Sequence, residues 1–227
     1  LERFAADVSH ELKNPLTSIR SANDILKKNN KDINIQKKLI SIIDKDTFKM
    51  NRLITDISNH TRTKAEIEMN RADNTEINIV ELLKDMIKNY SINKKNIIFE
   101  FKCLEENLII FSNYEKIAQV VAVLFDNAIS FSPNKSFILV VCESIDGECL
   151  IRIVDQGIGI KFEYNKKIFD RFYKDRTTDD DKHSGLGLDI ARHIVESYGG
   201  SIYLENKKVK SYQGACFVIK FPLKDVN

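Results

Sequence analysis

Two runs of apolar residues at three-and-four spacing constrain this chain more than any other feature. In the first, Leu1, Phe4, Ala5, Val8, Leu12, Leu16, Ile19, Ala22 and Leu26 fall on one face of a helix. In the second, Ile35, Leu39, Ile42, Ile43, Met50, Leu53, Ile54 and Ile57 do the same. Asn29-Asn30-Lys31-Asp32 between them reads as a turn, so the spacing predicts two long helices joined as a hairpin. Each apolar stripe is wider than a two-helix unit can bury, and pairing with a second copy would close a four-helix bundle. His10 projects roughly 180° away from the first stripe, and Asn14 falls within about 40° of it, one turn on. A histidine kept for packing would lie on the stripe. This one faces water, beside the carboxylate of Glu11.

The rest of the chain changes character. At 227 residues, with 43% hydrophobic and 30% charged residues, it suits one large or two small globular domains. Formal net charge is +2 with both signs dispersed, so composition gives no nucleic-acid surface, and runs such as Lys27-Lys28 and Lys207-Lys208 read as solvated ends and turns. Cys103, Cys142, Cys149 and Cys216 sit in apolar, strand-like surroundings without a CxxC pair or neighbouring histidine. They read as buried free thiols with no metal or redox motif. No apolar run reaches the roughly 20 residues of a membrane span. Because the chain starts inside a helical pattern without a cap, the expectation is a cytoplasmic fragment of a longer inner-membrane protein, attached only through its missing N-terminal part.

Apolar periodicity stops near residue 64, and 65–74 reads as a linker. Beyond it the pattern alternates between strands and helices. Strands are expected at Asn96 to Leu104, Leu108 to Phe111, Phe137 to Ser144, Cys149 to Val154, Ser201 to Glu205 and Ala215 to Pro222. Asp146-Gly147 marks a hairpin turn, Asn113 to Phe131 a helix, and Gly185 to about Tyr198 a second helix stopped by Gly199-Gly200. The predicted fold class is α+β: a helical hairpin at 1–64, then an α/β sandwich at 75–227 with helices on one face of a sheet.

Several segments resemble one family. His10-Glu11-Leu12-Lys13-Asn14-Pro15-Leu16 resembles the phosphoacceptor box of sensor histidine kinases. Downstream, Gln119 to Pro133 is similar to the N box of the gyrase, Hsp90, histidine kinase and MutL ATP-binding fold, and Asp155-Gln156-Gly157-Ile158-Gly159-Ile160 to its first glycine box. Ile168-Phe169-Asp170-Arg171-Phe172-Tyr173 resembles the F box, and Ser184-Gly185-Leu186-Gly187-Leu188 the second glycine box. Gly214-Ala215-Cys216-Phe217 falls where the family has its last glycine-containing strand start. Any one box is weak; five in order behind a phosphoacceptor helix are specific, and together they span essentially the whole chain.

The resemblance implies a kinase core in which ATP phosphorylates His10, with Glu11 as general base and Asn14 serving the reverse, phosphatase reaction. It implies Asn127 as the oxygen ligand of Mg²⁺, Asp155 as acceptor from the adenine amino group, and Gly157 and Gly159 as room for the base. Gly185, Leu186 and Gly187 would present amides to the phosphates at a helix start, where anions are favoured. Arg171, with Lys174 and Arg176, would add positive charge. Phe169 and Phe172 read as core that anchors their loop. A response-regulator receiver domain is the implied partner, in a bacterial two-component system working as a homodimer. The wording Asp-Arg-Phe-Tyr-x-Asp-Arg resembles an alphaproteobacterial envelope-sensing subgroup.

Three positions depart from the family pattern. Val123 stands where a second asparagine is usual, Ser130 where Lys or Arg is frequent, and His183 where a glycine often precedes the second glycine box. Val123 and Ser130 support a rival reading, a degenerate nucleotide-binding scaffold or phosphatase with weak kinase activity. An Hsp90-type or MutL-type ATPase is disfavoured, because those enzymes activate water with a glutamate one turn before the metal-binding asparagine, at the place of Val123.

Overall fold

The computed structural model describes residues 2–28, 32–69, 73–93, 97–173, 184–205 and 213–224. The expected turn residues Asn29 to Lys31, linker residues 70–72, Lys174, Arg176, the acidic stretch Asp179 to Asp181, His183 and Lys207-Lys208 lie outside them. The chain forms two compact units, Leu1–Thr63 with Arg171–Gly187, and Lys64–Asp170 with Leu188–Asn227.

In the first unit, α1 (Glu2–Lys27) runs as one helix through Pro15. Helix α2 (Ile33–Met69) starts at Asp32, whose Oδ1 accepts from the amides of Asn34 at 2.8 Å and Ile35 at 3.4 Å. That capping satisfies amides that have no partner within the helix. The Phe4 ring stacks on His60 at 5.2 Å, which sets the start of α1 beside the late part of α2 and makes the pair antiparallel. The helix continues to Met69, into the segment the sequence marks as a linker. Leu39, Leu53 and Ala22 are buried, while Leu16, Ile35, Ile40, Phe48 and Ile54 remain exposed. One hairpin therefore leaves much of its apolar stripe in water.

The second unit holds a five-stranded sheet. Its strands are β2 (Ile97–Cys103), β4 (Ser136–Ile145), β5 (Glu148–Val154), β6 (Ser201–Leu204) and β7 (Cys216–Pro222), in the order β2-β4-β5-β7-β6. Strands β2 and β4 are parallel and the other pairs antiparallel. A separate two-stranded sheet pairs β1 (Thr75–Asn78) with β3 (Ile109–Ser112). Helices α3 (Ile79–Asn93), α4 (Tyr114–Phe131) and α5 (Gly187–Ser197) complete the sandwich, α5 beginning at the boundary between the two units. The α3 helix and the β1 strand went unmarked in the sequence because their segment mixes both periodicities.

Local chemistry explains the boundaries. The Asp146-Gly147 turn has φ of 52° and 80°, the left-handed pair that a tight hairpin between twisted strands requires. Asn113 caps α4 by accepting from the amide of Lys116 at 3.1 Å. Helix α5 ends in paired bonds, Gly199 N–H to Glu196 O at 3.1 Å and Gly200 N–H to Val195 O at 3.0 Å, with Gly199 at φ 75°. A Cβ on Gly200 would lie 2.3 Å from the carbonyl of Lys220, so only glycine fits there.

On one face of the sheet Ile138, Val140, Ile151, Ile153 and Ile219 are fully buried, and Phe99 packs on Phe125 of α4 at 4.8 Å. On the other face Leu139, Leu150, Val154, Cys216 and Val218 form a second buried cluster. Arg152 spans that face, pairing with Glu143 and, at 3.2 Å, with Glu205. Its alkyl stem and two ion pairs close over hydrocarbon that would otherwise meet water.

Candidate functional site

Helix α1 presents His10 and Asn14 to solvent one turn apart, with Glu11 half-buried beside them. Pro15, immediately after, is buried. It has no amide to donate to the Glu11 carbonyl, so the ladder lacks a bond one turn past the histidine. Below it, the hydroxyls of Ser9 and Thr17 donate to the carbonyls of Ala5 at 2.7 Å and Lys13 at 2.8 Å.

In the second unit the end of β5 delivers Asp155 into a tight backbone cradle. The residue is 3% exposed. Its Oδ1 accepts from the amides of Gly157 at 2.8 Å and Ala215 at 2.9 Å. Its own amide donates to Ala215 O at 3.0 Å, and its carbonyl accepts from Gly214 N–H at 3.2 Å. Burial pushes the carboxyl up to about 6, while the two amide bonds pull the other way. With Oδ1 committed to backbone, Oδ2 is the oxygen left to accept from a ligand.

Two glycines make that cradle possible. A Cβ on Gly214 would sit 1.8 Å from Asp155 Oδ1 and 2.6 Å from its carbonyl oxygen. A Cβ on Gly157 would meet the carbonyl of Phe131, at the end of α4, at 2.6 Å. In the sequence Gly214 shows only as a small residue at a strand start; its place against Asp155 comes from strand pairing. Gly159 takes φ of 74°, and Ile158 between the two glycines stands 77% exposed. Gln156 ties the loop back to the sheet by accepting from Phe137 N–H at 2.9 Å.

Helix α4 carries Asn127, half-buried, at the flank of the face through which Leu124, Phe125 and Ala128 fill the core. Val123 precedes it by one turn, also half-buried. A side-chain amide oxygen is a hard donor that suits Mg²⁺, an ion that needs only one or two protein ligands when phosphates and waters supply the rest. The residues present thus fit Mg²⁺ through Asn127 alone.

The remaining expected residues belong to the first unit. Phe172 N–H donates to Gly185 O at 2.8 Å, joining the F box to the second glycine box. Gly185 has φ of 79°, and a Cβ there would lie 2.7 Å from Phe172 backbone. Leu186 is fully buried, and its amide donates to Ser184 Oγ at 3.2 Å. That bond closes a local turn between Ser184 and Leu186 at the start of the second glycine box. Arg171 is half-buried, its guanidinium 5.3 Å above the Phe4 ring, and Phe172 stacks on the same ring at 6.4 Å. Phe169, in the second unit, is buried edge-on to Phe217 at 6.3 Å, the anchoring role expected of it.

Comparison with known proteins fixes the class. Residues 1–66 match the His Kinase A (phospho-acceptor) domain, and residues 112–225 match the histidine kinase-, DNA gyrase B-, and HSP90-like ATPase family. The chain belongs to the two-component sensor histidine kinases. It is 38% identical to sensor protein ChvG of Rhizobium meliloti over 98% of its own length and 40% of that protein's. It is 31% identical to sensor histidine kinase YclK of Bacillus subtilis, over 97% of its length and 46% of that protein's. Among solved structures, it resembles histidine kinase ThkA in complex with response regulator protein TrrA, with a TM-score of 0.66 and 26% identity, covering 98% of this chain and 61% of that one. The chain thus spans about 40% of the length of curated relatives such as ChvG. No helix among the described residues is long and apolar enough to cross a membrane.

Proposed function

We propose that this chain is the kinase core of a sensor protein and transfers the γ-phosphoryl group of ATP to Nε2 of His10. The observation that carries the reading is the solvent-facing His10, with Glu11 and Asn14 beside it, in a chain that also builds the buried Asp155 cradle. The imidazole nitrogen forms the new N–P bond while the bond to the β-phosphate oxygen breaks and ADP leaves. Glu11 takes or stabilises the Nδ1 proton as the ring gains positive character. Asp155 Oδ2 accepts from the exocyclic amine of adenine, and Gly157 and Gly159 leave room for the base. Asn127 would hold Mg²⁺, which when bound would offset charge on the phosphates. Arg171, Gly185 and Gly187 contribute charge and amides toward the phosphates, and positioning does most of the catalytic work.

The phosphoryl group then passes to an aspartate of a response-regulator receiver domain. Asn14, exposed one turn above His10, orients the water that later hydrolyses the regulator's phosphoaspartate. The core works as a homodimer, since each hairpin leaves apolar stripe exposed. It belongs to the cytoplasmic part of a longer, membrane-anchored protein. The rival reading, a nucleotide-binding scaffold with weak kinase activity, draws on Val123 and Ser130. Incubation with γ-³²P-ATP separates the two. Wild type incorporates label and His10→Gln does not; label retained on His10→Gln removes the assignment, and an unlabelled wild type that binds nucleotide favours the scaffold.

A further inference from the structure

The five-stranded sheet ends in two edge strands, and they differ in kind. Strand β6 carries no charged residue between Ser201 and Leu204. Strand β2 presents Ile98, Glu100 and Lys102 on one face, with Leu104 next in the period just past its end. Their neighbours on β4 are Phe137, Leu139 and Val141, which set them on the face that holds the second buried cluster. Ile98 is 55% exposed and Leu104 fully exposed. The Glu105 carboxylate accepts from Ser144 N–H of β4 at 3.1 Å, which keeps the chain after Cys103 close to the sheet. Among the described residues, no strand pairs with the outer side of β2, and neither Glu100 nor Lys102 has a side-chain partner.

An unpaired edge invites another strand, and a charged residue on it is an ordinary guard against that. Here the order of the residues cancels the guard. Read backwards, the run apolar, acid, base, apolar becomes apolar, base, acid, apolar, so the strand complements its own antiparallel copy. Two copies in one sheet, related by a twofold axis, pair residues of the same face, so the axis must pass through a residue position. An axis at Glu100 or Lys102 sets like charges against each other, and one at Phe99 sets Glu100 against Ile98. An axis at Phe101 sets Glu100 opposite Lys102 of the second copy, and Ile98 opposite Leu104, each twice. Phe101 is half-buried on the same face as Phe99 and then meets its own image.

We propose that β2 is an association surface for a second copy of this chain, the two strands joining antiparallel about Phe101 into one continuous sheet. Main-chain hydrogen bonds supply the attraction, and the Glu100–Lys102 pairs choose the register. A strand of seven residues makes a small interface, so the contact is transient. It uses no residue of the hairpin, and its test is independent of whether the helices pair.

Directly opposed residues of an antiparallel pair have Cα atoms about 4.5–5.5 Å apart, within reach of a disulfide, whereas diagonal ones are about 7–8 Å apart. The test is oxidation of the full chain by copper phenanthroline, read by non-reducing electrophoresis. A Cys103→Ser background is used, because Cys103 is half-buried while Cys142, Cys149 and Cys216 are buried. Phe101→Cys should give covalent dimer, and Glu100→Cys, diagonal to its own counterpart, at least fivefold less. Adding Glu100→Lys or Lys102→Glu to Phe101→Cys should lower the yield at least threefold. Both together should restore it, since the swap keeps opposite charges opposed. Circular dichroism checks the folding of each variant. Ile98→Cys with Leu104→Cys, both at exposed positions, supplies a second bridge if Phe101→Cys unfolds. No covalent dimer from the folded variants, an equal yield from Glu100→Cys, or a double swap as poor as the single reversals would overturn the surface.

Discussion

At Asp155, burial and two backbone amides act in opposite directions, and burial wins. The carboxyl stands at about 6 rather than about 4. Between those values the folded protein holds a proton that the unfolded chain has lost, so this residue's contribution to stability falls as pH rises from about 4 to 6, by at most about 3 kcal/mol. Nucleotide binding runs the other way. If Oδ2 accepts from the adenine amine, affinity should decline as pH drops through 6, where the acceptor becomes protonated. Asp155→Asn keeps an oxygen for Gly157 and Ala215 but puts a donor where the acceptor was. That variant should fold, lose nucleotide affinity about tenfold or more, and show no affinity step near pH 6. Fluorescent nucleotide titrations across pH 5 to 8 would read both effects. Affinity equal to wild type in Asp155→Asn would remove the base-recognition role.

At the scale of elements, α4 connects the core to the proposed metal ligand. Its apolar side is buried through Ile117, Val120, Val121, Leu124 and Phe125, and its start is fixed by Asn113. Asn113→Ala leaves the Lys116 amide without its side-chain acceptor and should lower unfolding free energy by about 1 kcal/mol in urea denaturation, with nucleotide affinity little changed. From the other side, Tyr90 of α3 packs edge-on to Phe125 at 5.3 Å and donates to Ala122 O at 3.4 Å. Desolvation first, then the charge of Asp126, raise its phenol well above the ordinary range. It stays a neutral donor that holds α3 to the turn just before Asn127. Sequence periodicity located α4 and its cap but not this contact, because nothing near Tyr90 in the chain points to residue 122.

At the scale of the whole molecule, the hairpin leaves its apolar surface unfinished. Leu16 is 55% exposed, Ile54 50% and Phe48 69%. Water contact on that much hydrocarbon is unfavourable at roughly 25 cal/mol per Å², and a second hairpin removes it. The chain should therefore sediment as a dimer at micromolar concentration. Leu16→Glu combined with Ile54→Glu should shift it toward monomer while each monomer keeps its helical circular dichroism. An unchanged dimer would show that these faces are not the interface.

Sequence alone determined the helical hairpin, the outward His10, the Asp146-Gly147 turn, the Gly199-Gly200 stop and the order of the boxes, because each is written in spacings of a few residues. Local backbone sterics and helical periodicity act over that range. Only the tertiary structure decided that Gly214 and Ala215 close around Asp155, and that Cys103, Cys142 and Cys149 line up. Those meetings depend on strand order and register, which are set by how whole faces bury against one another. Residues 60 positions apart share no local signal of that choice.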